Sequence, residues 1–286
     1  MRNLTEHNVT EAVLQTLDKI QDARFKEIMT SLVKYLHTFV REVELTEAEW
    51  LAAIQFLTAT GQMCNESRQE FILLSDTLGV SVLVDAINHR KVEGATVSTV
   101  LGPFYREGAA EVPPLHNIAG DTPGEPVVVF GQVTTPEGQP IPGALLDIWQ
   151  ASAQGFYDVQ DTNQPEMNLR GKLRTDEAGR YIFRTIKPSS YPIPYDGPVG
   201  KMLNVMDRHP YRPAHIHFIV SAEGYQPVVT HIFVEGDPYL DSDAVFGVKD
   251  ALIADFVRHD SPEEAAKYDI SAPFYTVEYN FGLQPV

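Results

Sequence analysis

The chain has 286 residues, with 22 Lys and Arg against 39 Asp and Glu, so its formal net charge is −17. A protein that binds nucleic acid through its phosphates needs a basic face, and no run of Lys or Arg longer than a dipeptide occurs. The acidic balance therefore argues against nucleic acid and against an anionic membrane surface as partners. With 43% hydrophobic and 21% charged residues, the composition is that of a globular protein with one large or two modest domains.

A single cysteine, Cys64, limits the chemistry that sulfur can provide. It excludes an internal disulfide and a zinc or iron–sulfur site built from cysteine, because each of these needs at least two thiolates. This scarcity is typical of a reducing compartment. The first twenty residues carry Glu6, Glu11 and Asp18 within a weakly apolar stretch, and match neither a secretory signal nor a membrane-spanning helix. We expect a cytoplasmic protein.

Apolar residues recur at helical spacing from about residue 10 to about residue 90. The longest stripe runs from Phe25 to Val43, with apolar side chains three or four residues apart, and predicts a long amphipathic helix. Two capping-box pairs, in which a hydroxyl and a carboxylate can satisfy free backbone amides, precede apolar stretches that end near Gly61 and Ile87. These pairs are Thr46 with Glu49 and Ser67 with Glu70. We predict about four helical elements.

Short runs rich in valine, isoleucine and aromatic residues follow a Pro- and Gly-rich connecting segment between Gly94 and Glu125. The strands that they predict are 126–133, 144–150, 169–175, 180–186, 215–221, 228–234 and 275–281. The two strands that flank residues 176–179 predict a hairpin. Many short strands at regular spacing indicate a β-sandwich or a barrel.

The division of these patterns predicts the domain organisation. We expect a mainly β protein in which a β-sandwich follows an α-helical N-terminal region. The helical domain is expected at residues 1–95 and the sandwich at residues 96–286, which begin with the connecting segment 96–125.

Several common sites are absent from the sequence. No G-x-G-x-x-G occurs, residues 197–201 lack the spacing of a phosphate-binding P-loop, and residues 79–83 lack the second glycine of a nucleophile elbow. Dinucleotide, nucleoside triphosphate and serine-hydrolase functions are therefore not supported.

His215 and His217 are the first candidates for chemistry. Residues two apart on a strand project from the same face, so these imidazoles lie side by side while Ile216 and Phe218 face the opposite way. The pair alone is equally compatible with a metal site and with two structural histidines. A ferrous facial triad would need a carboxylate, commonly in a His-x-Asp or His-x-Glu pair that this chain lacks. Carboxylates elsewhere or loop tyrosines are left as further ligands, although a loop tyrosine is by itself more often a packed ring.

Five motifs, in order along the chain, connect these candidates with a known family. They are Leu101-Gly102-Pro103-Phe104-Tyr105, Asp147-Ile148-Trp149-Gln150, Gly155-Phe156-Tyr157, Tyr191-Pro192-Ile193-Pro194 and Arg212-Pro213-Ala214-His215-Ile216-His217. With these motifs the chain resembles the intradiol ring-cleavage dioxygenases from about Leu32 to at least Leu252. The order of a helical part and a β-sandwich also matches that family. The resemblance implies that the sandwich is the catalytic domain and that the helical region serves dimerisation and linkage.

The resemblance implies one mononuclear, non-haem Fe(3+) ion in each subunit. By motif its ligands are Tyr157, Tyr191, His215 and His217, of which Tyr157 and His215 match the equatorial pair and Tyr191 and His217 the axial pair. Phenolates are hard anions that favour Fe(III) over softer or divalent ions. In the family the axial tyrosine leaves the metal when a catechol binds, so Tyr191 would accept one of the catechol protons.

Arg212 and His231 are the other candidate catalytic residues that the resemblance implies. The fixed charge of Arg212, three residues before His215, can stabilise negative charge that develops on the substrate ring. A surface salt bridge is the alternative for this arginine. Catechol-cleaving members commonly carry Gln at the position of His231. This chain departs from that pattern, as chlorocatechol and hydroxyquinol enzymes do, so the hydrogen-bonding role of His231 is left open.

The resemblance also predicts the lining of a substrate pocket. The lining residues are Leu73, Asp76, Val100, Leu101, Gly102, Pro103, Phe104, Pro192, Ile193, Pro194, Ala244 and Val245. Asp76 is the most informative, since a carboxylate in an aromatic pocket is costly unless it accepts a hydrogen bond, and a third ring hydroxyl would donate one. The alternative is an aspartate on a helix surface.

The substrate expectation comes from three segments that are most similar to hydroxyquinol-cleaving members of the family. They are residues 58–64, 70–80 and 239–249, although chlorocatechol enzymes are similar in the last. We expect cleavage of hydroxyquinol (1,2,4-trihydroxybenzene) by O2 to 3-hydroxy-cis,cis-muconate and its keto form maleylacetate. Catechol or chlorocatechol 1,2-cleavage is the alternative within the family. A non-catalytic, transthyretin-like binding module with structural histidines is the alternative outside it.

The apolar stripes of the N-terminal helices also need a partner. Members of the family dimerise through this region, where lipid is a recurrent bound component. We therefore expect a homodimer formed through the N-terminal helices, with bound lipid as a further component. A small aromatic diol and O2 are the expected reactants, and neither nucleic acid nor a membrane is an expected partner.

Overall fold

Three α-helices form the first of two units into which the chain divides between Gln62 and Met63. The computed structural model describes residues 2–65 and 68–286. In the first unit, α1 spans Val9–Thr16, α2 spans Ala23–Glu42 and α3 spans Glu47–Gln62. None of the helices in the described part of the chain combines the length and the apolar character that crossing a bilayer requires.

Side-chain caps begin two of these helices. Asp22 accepts a hydrogen bond from Phe25 N at 2.9 Å at the start of α2. At the start of α3, Thr46 N donates to the Glu49 carboxylate at 2.9 Å, and Glu49 N donates to the Thr46 hydroxyl at 3.3 Å. The predicted capping box is therefore confirmed. The apolar stripe of α2 is exposed, and its members are Phe25, Ile28, Leu32, Leu36, Phe39 and Val40.

Two shorter helices open the second unit: α4 spans Glu70–Thr77 and α5 spans Val80–Asn88. Both fall within the region 1–95 that the sequence assigns to the helical domain. The sequence predicts one apolar stretch here, and Gly79 divides it, because its φ of 74° lies in the left-handed region that glycine adopts without strain. Of the predicted capping pair, Ser67 lies outside the described residues.

Two five-stranded sheets pack face to face in the second unit and confirm the predicted β-sandwich. The strands are β1 Pro126–Thr134, β2 Leu145–Gln150, β3 Arg170–Arg174, β4 Arg180–Ile186, β5 Tyr191–Pro192, β6 Tyr211–Arg212, β7 His215–Ser221, β8 Val228–Val234, β9 Ile253–Ala254, β10 Val257–His259, β11 Phe274–Glu278 and β12 Phe281–Gly282. One sheet has the order β10-β11-β1-β12 with β4 also on β1, the other has the order β3-β2-β7-β8-β9, and β5 pairs with β6 alone. Alternate side chains of both sheets, such as Val129, Phe183 and Phe218, form the core between them.

The predicted hairpin around residues 176–179 is wrong. Asp176 accepts hydrogen bonds from the backbone N–H groups of Ala178 and Arg180 at 2.9 and 2.8 Å, so a tight turn does form. However, β3 pairs with β2 and β4 pairs with β1, and the chain crosses from one sheet to the other at this turn. A local turn pattern does not determine which distant strand supplies the pairing.

Other element bounds agree with the sequence to different extents. β4, β7 and β8 have the predicted bounds, whereas the predicted last strand, 275–281, is divided into β11 and β12. Two short helices were not predicted, α6 at Pro198–Val205 and α7 at Pro262–Ala266. Helix α6 begins four residues after the Tyr191–Pro194 motif.

Candidate metal centre

Three aromatic side chains lie in one row across the sheet that contains β7. The strand register pairs Trp149 on β2 with His217 on β7, and pairs His217 with His231 on β8. Paired residues on neighbouring strands project from the same face of a sheet. The ring centroids are 4.6 Å apart for Trp149 and His217, and 4.1 Å apart for the two histidines. The row therefore forms a buried aromatic wall on the side of the sheet that faces away from the core.

His215 lies on the same face two residues before His217, while Ile216 and Phe218 lie in the sandwich core, as strand alternation predicts. Its Nδ1 atom is 2.7 Å from the carbonyl oxygen of Pro213. A carbonyl can only accept, so Nδ1 carries the proton and Nε2 keeps its lone pair. The Nε2 atoms of His215 and His217 are 3.1 Å apart. The backbone thus fixes the tautomer that could bind a metal ion.

Tyr157 comes from the loop that follows β2. Its backbone N–H donates to Gln160 Oε1 at 3.0 Å, and its ring stacks on Phe104 with centroids 4.5 Å apart. Two residues earlier, Gly155 has a φ of 81°, and a Cβ atom there would lie only 2.8 Å from the Cβ atom of Tyr191. A glycine is therefore needed for the two tyrosines to approach each other.

Tyr191 is held by the small β5–β6 sheet, in which it pairs with Arg212. Ile193 N extends this contact by donating to the carbonyl oxygen of Pro210 at 2.9 Å. Because Arg212 is only three residues before His215, this backbone pairing brings Tyr191 to the histidines.

Four donor atoms converge between these elements. The Oη atom of Tyr157 is 2.8 Å from Nε2 of His217 and 3.2 Å from Oη of Tyr191, and Nε2 of His217 is 3.1 Å from that of His215. Two ligands at a right angle around an ion with bonds of about 2.1 Å are about 3.0 Å apart, so these separations fit a shared metal ion. His231 adds a third imidazole, and the nitrogens of the three histidines lie within 4.8 Å of one another.

Burial sets the protonation of these groups. It raises the pKa of Tyr157 well above the ordinary value, an effect that the neighbouring Tyr191 increases, and it also raises the pKa of Tyr191, where Arg212 acts in the opposite direction. It lowers the pKa of His215 and His217 well below the ordinary value. All four groups are therefore neutral without a cation among them, whereas a bound cation favours the phenolate form of tyrosine.

Arg212 lies beside this donor cluster and is almost fully buried. Its Nη1 atom donates to His215 Nε2 at 3.3 Å and its Nη2 atom to His231 Nδ1 at 3.4 Å. Burial alone would lower its pKa, but Asp243 together with Tyr191 and Tyr157 outweighs that effect, and the pKa lies above the ordinary value of 12.5. Its contacts are those of a permanently charged side chain inside the site, which excludes the alternative of a surface salt bridge.

Comparison with known proteins decides the family. Two family models match the sequence, one described as Dioxygenase over residues 100–285 and one as Catechol dioxygenase N terminus over residues 22–96. The chain belongs to the intradiol ring-cleavage dioxygenases.

Relatives of this intradiol dioxygenase match it over nearly its whole length. It is 53% identical to hydroxyquinol 1,2-dioxygenase of Rhizobium sp., over 97% of this chain and 95% of the relative. It is 50% identical to 6-chlorohydroxyquinol 1,2-dioxygenase of Cupriavidus pinatubonensis, over 100% and 99%. The solved structure of hydroxyquinol 1,2-dioxygenase from Pseudomonas putida superposes with a TM-score of 0.93 at 49% identity, covering 98% of this chain and 99% of that one.

The predicted lining residues of this dioxygenase differ in exposure. Leu73, Asp76, Val100, Ile193, Ala244 and Val245 are buried, Gly102, Phe104, Pro192 and Pro194 are half-buried, and Leu101 and Pro103 are exposed. Two of them contact the donor cluster. Phe104 stacks on Tyr157, and a Cβ atom on Gly102 would lie 3.3 Å from Cε1 of His217. Val100 is next to His231. Burial lowers the pKa of His231 well below the ordinary value, and a hydrogen bond with the backbone of Val100 acts in the opposite direction.

Asp76 is buried on α4 with 5% of its surface exposed, which excludes the alternative of a helix-surface aspartate. Burial raises its pKa, while Ser81 and the charge of Arg212 lower it. The charges of Asp76 and Arg212 therefore interact.

Sequence reasoning missed two residues of this site. Trp149 was noted only as part of a motif, and its stack on His217 depends on the register of two distant strands. Asp243 was not singled out, although its carboxylate pairs with Arg212. An aspartate in a segment that is similar to hydroxyquinol-cleaving relatives was the only signal that could have identified it.

Proposed function

We propose that this intradiol dioxygenase cleaves hydroxyquinol with O2 between its two adjacent hydroxyl-bearing carbons, giving 3-hydroxy-cis,cis-muconate and its keto form maleylacetate. The observation that carries the proposal is the buried convergence of two phenols and two imidazoles at 2.8–3.2 Å. The similarity to enzymes named for hydroxyquinol and 6-chlorohydroxyquinol supports the choice of substrate.

The donor set is suited to one ferric ion per subunit, held by Tyr157, Tyr191, His215 and His217. Two phenolates offset much of the charge of a trivalent cation and are hard donors, which favours Fe(III) over Zn(II) or Cu(I). A bound ferric ion would supply the Lewis acidity that activates the diol substrate towards O2.

The residues of the chain then have separate tasks. In the phenolate form that a bound ferric ion would favour, the Oη atom of Tyr191 would accept one proton of the incoming diol. The guanidinium of Arg212 stabilises the negative charge that develops on the ring, because it is fixed, buried and oriented before the reaction begins. The stacked rings of Trp149 and Phe104 hold His217 and Tyr157 in place.

Asp76 is the basis for the preference among diols. A buried carboxylate needs a hydrogen-bond donor, and the third hydroxyl of hydroxyquinol provides one that catechol lacks. We expect Asp76→Asn to lower kcat/KM for hydroxyquinol by about tenfold, and to change kcat/KM for catechol by less than about threefold. His231 contacts Arg212 through its Nδ1 atom, and we assign His231 a hydrogen bond to the bound substrate.

Colour and turnover test this proposal together. The purified protein is expected to contain about one iron per chain and to be red-brown, since phenolate-to-Fe(III) charge transfer absorbs visible light. Oxygen consumption with hydroxyquinol, catechol and chlorocatechols then ranks the substrates. A clear preference for catechol would overturn the choice of hydroxyquinol. A colourless protein without iron would instead favour a transthyretin-like binding module.

We further propose that the protein is a homodimer formed through its N-terminal helices, with lipid bound in the same region. The exposed apolar stripe of α2 supports this proposal, because monomeric proteins rarely expose a contiguous apolar patch of this kind. Light scattering is expected to give twice the chain mass, and Leu32→Glu together with Leu36→Glu to reduce it to a single chain. A monomeric wild-type mass would contradict the dimer, and mass spectrometry of solvent extracts tests for the lipid.

A further inference from the structure

The carboxylate of Asp243 forms an ion pair with the guanidinium of Arg212 in the interior of the protein. Asp243 has 4% and Arg212 has 3% of its surface exposed. The Nε atom of Arg212 donates to Oδ1 at 3.1 Å and the Nη2 atom to Oδ2 at 3.4 Å. Two parallel contacts of this kind fix the plane of a guanidinium as well as its position.

The same carboxylate also organises its own loop. Its Oδ1 atom accepts a hydrogen bond from Val245 N at 3.2 Å, and its Oδ2 atom accepts one from Gly247 N at 2.9 Å. The carbonyl oxygen of Gly247 in turn accepts a hydrogen bond from the Thr99 hydroxyl at 2.9 Å. Asp243 therefore couples Arg212 to the backbone that carries Ala244 and Val245.

This ion pair leaves the Nη1 atom of the guanidinium directed at the four donor atoms. With Nε and Nη2 engaged by Asp243, Nη1 is the atom that contacts His215, at 3.3 Å from Nε2. Without Asp243 the guanidinium would lose the ion-pair partner that it has among the described residues, and a buried cation without a partner is strongly unfavourable.

We propose that Asp243 is a positioning residue, which fixes the guanidinium of Arg212 beside the four donor atoms. The inference rests on the proposed function for the part that Arg212 has in ring cleavage. The placement of the arginine itself rests only on the contacts of Asp243.

A double-mutant cycle tests whether Asp243 acts through Arg212. We expect Asp243→Asn to lower kcat/KM for hydroxyquinol by about tenfold or more, while iron content and the visible absorption band are unchanged, since Asp243 is not among the four donors. In an Arg212→Gln background the same change should lower kcat/KM by less than about twofold, because residues that act as a unit are not additive. Equal losses in both backgrounds, wild-type kinetics in the single variant, or a loss that follows iron content would overturn the proposal.

Two further variants separate positioning from general damage. Asp241→Asn, on an exposed aspartate of the same segment, is the matched control and should retain wild-type kinetics. Gly247→Ala keeps every charge but adds a Cβ atom 3.0 Å from Nη2 of Arg212 and 3.2 Å from Oδ2 of Asp243. It should lower kcat/KM by about threefold or more by displacing the pair, and it provides the test if Asp243→Asn does not fold.

A crystal structure of Asp243→Asn provides a readout that does not depend on turnover. We expect the guanidinium of Arg212 to move away from its wild-type position beside His215. A guanidinium within about 0.5 Å of its wild-type position would overturn the proposal. If the wild-type protein failed to cleave hydroxyquinol, the proposed function would fall, but the position of Arg212 in this variant would still decide the role of Asp243.

Discussion

Trp149 and His217 lie face to face on neighbouring strands, with ring planes only 14° apart. The stack buries the indole and restricts the imidazole of His217. We expect Trp149→Leu to lower the free energy of unfolding by about 2–4 kcal/mol and also to reduce iron content. Phe218→Leu, on the opposite face of the same sheet, should cost stability without reducing iron. Urea unfolding and metal analysis of both variants check this, and full iron retention in Trp149→Leu would contradict it.

Tyr157 is expected to be indispensable for the colour of the protein. Tyr157→Phe removes a donor atom that is 2.8 Å from His217 and 3.2 Å from Tyr191. Loss of a residue that only supports a metal ligand can lower metal affinity or activity by up to about 100-fold. Tyr157 is a proposed ligand itself, so we expect kcat to fall by at least about 100-fold, with loss of most visible absorption.

Tyr181→Phe is the control for that variant. Its hydroxyl is also buried, but it donates to the carbonyl oxygen of Tyr279 at 2.7 Å, outside the donor cluster. It should lose about 1 kcal/mol of stability and keep both colour and activity. Equal bleaching of the two variants would show that the colour does not report on Tyr157.

Glu70 is expected to anchor the start of α6. It has 0% of its surface exposed, pairs with Arg68 at 2.8 Å, and accepts a hydrogen bond from Val199 N at 3.2 Å. Glu70→Ala leaves Arg68 and that amide without this partner, so we expect a loss of about 3 kcal/mol in the free energy of unfolding.

The second partner of Arg68 is the matched control. Asp196 pairs with Arg68 at 2.9 Å but has 69% of its side chain exposed, and such pairs contribute at most about 1 kcal/mol. Urea unfolding of Asp196→Asn should therefore differ little from the wild type. An equally large loss in both variants would mean that burial does not distinguish them.

Asp76 is expected to make stability depend on pH. Burial raises its pKa above the ordinary value of 3.8, so the folded protein holds this proton more tightly than the unfolded chain does. The group therefore costs stability as the pH rises from the unfolded pKa through the folded one. Relative to the wild type, Asp76→Asn should gain stability over that interval and show a constant difference below it.

Asp176→Asn should behave in the opposite way. Hydrogen bonds from the backbone and the side chain of Arg180 lower the pKa of Asp176, so its carboxylate stabilises the folded state above its unfolded pKa and loses that effect as the pH falls. Urea unfolding of both variants from about pH 2.5, below the ordinary pKa of an aspartate, to about pH 7 gives the two slopes. Slopes of the same sign would contradict the assignment.

The parts of the site that could be predicted from sequence are those that depend on local spacing. His215 and His217 share a face because residues two apart on a strand always do, and the capping box of Thr46 with Glu49 needs only four residues. The tight turn at Asp176 also formed, but the hairpin did not, because pairing is decided by strands elsewhere in the chain.

The parts that could not be predicted join distant segments. Asp243 is 31 residues from Arg212 and meets it only through the return of the chain after β8. The row of Trp149, His217 and His231 needs the register of three strands. Local composition holds no information on such contacts, which the packing of the whole sandwich determines.

The backbone pairing of Tyr191 with Arg212 has a consequence for protein engineering. A loop transplanted from another diol-cleaving enzyme to change selectivity would bring one half of a two-stranded ladder without the other. Residues 191–194 and 211–212 should therefore be exchanged as a single cassette, so that Tyr191, the proposed proton acceptor, and the positive charge of Arg212 keep their relative spacing.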